Sequence, residues 1–144
     1  MVSLRWLSGV AVAVVLSGCA SFRSDLRAAR ERGIPPSGVE GHWVGRWYDL
    51  KNPKHGGRLE CVLTRTGDQV YRMSSRSQWW KIFTSAYDAN VVITPTAEGR
   101  AVVLGGQELW VFGGHSLTGR IDGTRFEATY TVGSHSGRLE LQRP

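Results

Sequence analysis

Four histidines, two cysteines and a scatter of carboxylates and serines are the side chains that could do chemistry here, and their spacing argues against most of it. None of His42, His55, His115 and His135 has another histidine within a helical turn, and the last three adjoin glycine-rich turns. A metal centre needs ligands converging from one element, or from several elements with acids or thiolates beside them. No such pattern is read, and no cofactor is implied. Glu60, Glu127 and Glu140 alternate with apolar residues, which directs them to water rather than into an acid–base pair. Ser74, Ser75 and Ser134 have no base near them in sequence. Neither a Gly-x-Ser-x-Gly elbow nor a phosphate-binding loop occurs. The chain reads as a binding or interaction protein and not as an enzyme.

Binding chemistry is better supplied. Trp43, Trp47, Tyr71, Trp79, Trp80, Tyr87, Trp110, Phe112 and Tyr130 form a large apolar stock for so short a chain. They either fill a core or line a site for a lipid or another small apolar compound. Trp43, Trp47, Tyr71, Trp79, Trp80, Trp110 and Tyr130 are the expected ligand contacts. Cys61 alternates with Leu59 and Leu63, so it is expected as a buried free thiol, a small hydrophobe rather than a nucleophile. The net charge is +6. Its arginines are dispersed through separate segments, which fits a solvated surface or attraction to anionic lipid rather than a nucleic-acid stripe.

The elements that must position these residues show a period of two from Gly41 onward. Trp43, Gly45 and Trp47 share one face, with Val44, Arg46 and Tyr48 on the other. Leu59, Cys61 and Leu63 repeat the pattern, as do Leu117, Gly119 and Ile121, then Phe126, Ala128 and Tyr130, then Leu139 and Leu141. Such alternation marks half-buried antiparallel strands. Turn chemistry separates them: Gly67-Asp68 and Asp122-Gly123 suit hairpins, and Glu98-Gly99, Gly105-Gly106, Gly113-Gly114 and the Gly133 region are read as breaks. Gaps this short hold no crossover helix. The expected fold is therefore all-β, an antiparallel up-and-down meander of about eight to nine strands closed into a barrel, with a bent open sheet or sandwich as the alternative. Trp79-Trp80-Lys81-Ile82-Phe83 is apolar on both parities and fits a strand buried on both faces, a barrel corner or a short helix. If the barrel holds a ligand, Trp79 and Trp80 are expected at its lip, because adjacent strand residues point to opposite faces. Pro95 fits a strand terminus or edge.

The N-terminus adds an address. Arg5 is the only charge before Cys19, and an apolar run from Leu7 to Leu16 ends in Leu16-Ser17-Gly18-Cys19. This resembles a bacterial lipobox. The resemblance implies a signal peptide over 1–18, a lipidated Cys19 (diacylglycerol on the thiol, an acyl chain such as palmitate on the amine), and a lipoprotein tethered to a membrane. Ala20 and Ser21 follow the cysteine, which leans towards the outer membrane in a two-membrane cell. The apolar run is shorter than the roughly 20 residues of a transmembrane helix. Residues 19–40 are expected as a lipidated terminus and linker. Ser24 could cap one or two helical turns ending at Gly33, and Pro35-Pro36 stiffens the exit. The domain is expected over 41–144.

Gly41-His42-Trp43 at the first strand and Arg143 at the end of the last resemble the lipocalin pattern. There a tryptophan closes the barrel floor and an arginine packs across it. Gly45-Arg46-Trp47 matches the first motif equally, and a Thr-Asp-Tyr motif is absent. The run from Phe126 to Arg143 also resembles small uncharacterised bacterial lipoproteins, which bring no activity with them. The expected partners are a membrane, through the anchor, and an apolar small molecule or envelope component. Loop-mediated inhibition or a structural envelope role is the alternative.

Overall fold

The computed structural model describes residues 22–33, 38–79, 83–109 and 113–144. Eight strands follow one another: β1 (Gly41–Asp49), β2 (Gly56–Gly67), β3 (Val70–Trp79), β4 (Phe83–Ala97), β5 (Arg100–Leu109), β6 (Gly113–Asp122), β7 (Arg125–Val132) and β8 (His135–Gln142). Each pairs antiparallel with its sequence neighbour, and β1 pairs with β8 to close the barrel. The lipocalin-like up-and-down barrel expected from the sequence is thus the fold, with eight strands. Closure leaves no sheet edge for another chain to extend.

The period-two pattern becomes the inside and outside of the wall. Register rows such as Trp43↔Cys61↔Ser75 and Leu63↔Met73↔Ala89 face inward. Trp43, Leu59, Cys61, Leu63, Met73, Val91, Ile93, Val103, Leu117, Ile121, Phe126, Leu139 and Leu141 form one buried cluster. An eight-stranded barrel is about wide enough for side chains to fill. The outward parity of β1, β8, β7 and β6 carries a ladder of charges instead. Arg46 and Tyr48 bond Glu140, Arg138 bridges Glu140 and Glu127, and Arg120 reaches Glu127.

Several turn expectations shift. Gly105-Gly106 does not break the chain: it lies inside β5. A Cβ on Gly105 would sit 3.0 Å from Val91 Cγ1 and 3.4 Å from Leu117 Cβ, so the glycine lets two inner side chains close over the strand. The β2–β3 turn centres on Asp68 and Gln69 rather than Gly67-Asp68, with Gln69 at φ 57° and a register shift between Arg65 and Gly67. The β6–β7 turn likewise moves one residue on, with Gly123 at φ 60°. Gly113-Gly114 opens β6. Pro95 stands in β4 beside a register shift at Pro95/Ala97, where a missing N–H is tolerated.

The segment before the barrel departs most from expectation. Residues 22–32 form a helix, α1, that begins before Ser24 and lies on the outer wall. Phe22, Leu26 and Ala29, spaced to share a face, are buried with the outward-pointing Val62 of β2. Gly33 ends α1 at φ 76°, its N–H donating to the Ala29 carbonyl at 3.1 Å. A helix this short is marginal alone, and packing on the wall stabilises it.

Candidate functional site

The barrel interior divides into a plugged floor and an upper half. The floor is built by the two ends of the barrel chain meeting at the β1–β8 seam. Trp43 is fully buried. The Arg143 guanidinium lies 4.1 Å from its ring centroid, and Phe126 meets it edge-on at 5.8 Å. The indole N–H donates to the Val39 carbonyl at 3.0 Å. Arg143 donates to the carbonyls of Gly38 at 3.0 Å and His42 at 3.3 Å. Gly41 leaves room for this arrangement: at φ 104°, a Cβ there would come 3.1 Å from Nη1 of Arg143. Of the two Gly-x-Trp runs, Gly41-His42-Trp43 is therefore the one that closes the barrel.

Above the floor the inner wall changes character. Gly57, Ser75, Ser77, Gly105 and Gly137 stand at inward register positions, Gly57 against Trp47 and Gly137 against Tyr130. Trp47 is buried and meets His55 edge-on at 5.5 Å. Tyr130 is half-buried, and its ring covers Gly137 so closely that a Cβ there would fall 2.2 Å from it. Burial pushes the Tyr130 phenol above its ordinary range. Cys61 is fully buried beside Ser75, and burial pushes its thiol up to about 12, as a structural cysteine requires. The Ser75 hydroxyl is buried and has no hydrogen-bond partner. An orphaned buried hydroxyl costs about 1–3 kcal/mol unless something supplies a partner.

The expected ligand contacts therefore separate. Trp43 belongs to the floor, and Tyr71 is half-buried on β3 near the same end. Trp47 and Tyr130 line the upper half. Trp79 ends β3 at the rim. Trp80, Trp110 and Cys19 lie outside the described residues.

A second polar cluster, beneath α1, was not legible in the sequence. Glu60 was expected in water, yet it is 6% exposed. Its parity is outward as read, but α1 covers that part of the wall. Arg58 and Arg76 hold its carboxylate at 2.7 and 3.1 Å, and His42 Nε2 lies 3.5 Å away. Asp25 of α1 accepts from Arg72 at 2.7 Å and from the buried Ser74 hydroxyl. Arg76 also lies 4.8 Å over the Phe22 ring. The cluster fixes the helix to β2 and β3. Its only sequence signals were Val62 among outward polar residues and the Phe22, Leu26, Ala29 spacing. Among the described residues no group of histidines, cysteines and acids is arranged to hold a metal ion.

The fold and site define a small closed up-and-down barrel with a plugged floor and an upper half in which Trp47 and Tyr130 pack against small inward residues. Comparison with protein-family models, curated proteins and solved structures gives no match.

Proposed function

We propose that this chain is a membrane-anchored cell-envelope lipoprotein, tethered through Cys19, whose barrel takes a lipid or another small apolar molecule into its upper half. One observation carries the binding reading: Ser75 presents an unpartnered buried hydroxyl from the inner wall, which also carries Gly57, Ser77, Gly137, Trp47 and Tyr130 at inward register positions. Ligand sites are apolar enclosures with a few placed polar groups that orient the guest. Trp47 and Tyr130 supply the apolar contact, and Ser75 supplies the polar one.

The test is a fluorescence titration of protein starting at Ser21 with fatty acids and phospholipids. Binding changes the tryptophan emission, Trp47→Phe removes much of that change, and Trp80→Ala weakens it. Ser75→Ala weakens binding several-fold while leaving the ligand-free barrel at least as stable, because it deletes an unsatisfied group. A flat titration across the lipid panel sinks the reading. The anchor is tested separately: Cys19→Ser releases the protein from membranes and abolishes lipid labelling.

A second reading, contact with an envelope protein, draws on the outer wall. Val70, Val92 and Leu104 form a cross-strand row with Val102 beside it, and these four side chains are 36–52% exposed. A photo-crosslinking residue at position 104 in living cells traps a partner under this reading and nothing under the first.

A further inference from the structure

The direction of α1 on the barrel wall has a consequence for the membrane. Near its N-terminus, Phe22 sits beneath Arg76. One turn on, Asp25 reaches Ser74 and Arg72. After Gly33 the chain arrives at Gly38 and Val39, which bond the floor residues Arg143 and Trp43. The helix therefore descends towards the plugged floor, and its N-terminal end points up β3 towards the opposite end. Arg76 is only three residues from Trp79, where β3 ends, about 10 Å along a strand. Cys19 precedes Phe22 by three residues, a reach of at most about 10 Å. The described helix thus begins on the rim side of the barrel, and the three-residue step from Cys19 to Phe22 is a short enough tether to keep the attachment point within about 10 Å of that start.

Among the described residues, the rim carries an exposed basic and apolar loop suited to lipid heads. In an up-and-down meander the β1–β2, β3–β4, β5–β6 and β7–β8 connections share one end. Leu50, Lys51 and Lys54 are exposed in the first of these. That loop is held in shape by the Lys51 and Asn52 N–H groups donating to Asp49. Apolar Trp79, Phe83 and Leu109 occupy strand ends at the same rim. Exposed Arg23 stands in the first turn of α1, the end of the helix nearer this rim. The opposite end carries Asp68, Glu98 and Asp122 together with exposed Arg65, Arg100 and Arg125, which offset them; Arg65 pairs with Asp68 and Arg100 with Asp122. Basic residues near an anionic leaflet add about 1 kcal/mol each, so Lys51 and Lys54 favour the rim, while the matched charges of the far end favour neither approach.

The geometry points to a fixed orientation: α1, clamped to β2 and β3, turns the rim opposite the floor onto an anionic phospholipid bilayer and holds the Trp43–Arg143 floor away from it. This rests on the proposed anchor at Cys19 and extends it. The helix is then a positioning strut rather than a flexible tether, and an apolar guest would pass between bilayer and chamber without crossing water.

Amine footprinting tests it. Protein lipidated by the producing cells is bound to vesicles of phosphatidylethanolamine and phosphatidylglycerol and treated with an acylating reagent. A parallel sample, starting at Cys19, is coupled through that thiol to a maleimide lipid in the same vesicles, where the buried Cys61 does not compete. Lys51 and Lys54 report the rim; lysines introduced by Asp68→Lys and Glu98→Lys report the far end. Lys51 and Lys54 are expected to be acylated several-fold more slowly on the vesicle than in solution, with the far-end lysines unchanged. In the Asp25→Ala, Leu26→Asp double variant the protein stays on the vesicle and the difference between ends disappears. Equal protection at both ends, stronger protection at the far end, or a difference that survives the double variant overturns the orientation. Failure of the cell-made protein alone to bind vesicles refutes the anchor, while the coupled sample still reads the orientation.

Discussion

His42 is a half-buried imidazole facing Glu60, with Arg30 and Arg76 close enough to oppose its protonation. Desolvation by burial pulls its pKa below the ordinary value, and it outweighs the opposing attraction of Glu60 at 3.5 Å. The unfolded chain then takes up a proton near pH 6.5 that the folded chain declines. Stability falls as pH drops from about 6.5 to the depressed folded value and is level below it. The carboxylates with resolved shifts do not confuse this window. Asp49, held down chiefly by the Lys51 N–H, and Glu140, chiefly by the Tyr48 hydroxyl, have lowered values, so their contribution is lost only at more acid pH. Urea midpoints measured between about pH 7.5 and about pH 5.5 are expected to fall for the natural chain and to flatten for His42→Gln. An unchanged slope in that variant would place the titration elsewhere. On the floor, Trp43→Ala is expected to cost about 3–5 kcal/mol. Arg143→Lys keeps the charge but loses the flat stack, and is expected to cost about 1 kcal/mol. Both are read by chemical denaturation.

At the scale of elements, strands were legible and their coverings were not. Alternation such as Phe126, Ala128, Tyr130 is a local signal, so the wall and its inner face could be read directly. Whether an outward residue meets water depends on a segment distant in sequence. Glu60 and Val62 therefore looked alike in kind to Glu127 and Thr129, yet α1 buries only the first pair. The floor was legible because Trp43 and Arg143 sit at chain ends that closure must bring together. The Ser75 hydroxyl, by contrast, is remarkable only once its surroundings are known. Since α1 depends on packing, it should open before the barrel. Leu26→Ala is expected to cost about 2 kcal/mol, and to raise hydrogen exchange across 22–32 while β4 to β7 stay protected. Gly33→Ala, which forces a side chain into φ 76°, should act in the same direction at about 1 kcal/mol. Uniform loss of protection over the whole chain would instead make helix and barrel one cooperative unit.

For the molecule as a whole, every strand pairing is local except one. Seven hairpins hold neighbours together, but only the β1–β8 seam converts a curled sheet into a barrel. Gly45 lies at that seam opposite Leu141. A Cβ there would fall 1.9 Å from the Glu140 carbonyl oxygen and 2.9 Å from Leu141 Cα, contacts with backbone that no rotamer change relieves. Gly45→Ala must therefore part the strands locally, while the hairpins and the β1–β2 pairing can persist. The alternative is that β8 shifts as a body and the seam re-forms, since the Arg46–Glu140 and Tyr48–Glu140 bonds beside it have exposed, adaptable partners. The two outcomes differ in what they expose. Parting uncovers Trp43, Phe126 and Leu141, so the variant should bind a hydrophobic dye, lose near-ultraviolet circular dichroism from the floor tryptophan and keep most of its strand signal. Re-formation leaves the dye unbound and lowers only the denaturation midpoint. Since the floor is assembled from both sides of this seam, parting is the expected result, with a loss of more than about 3 kcal/mol, the scale of removing a core aromatic.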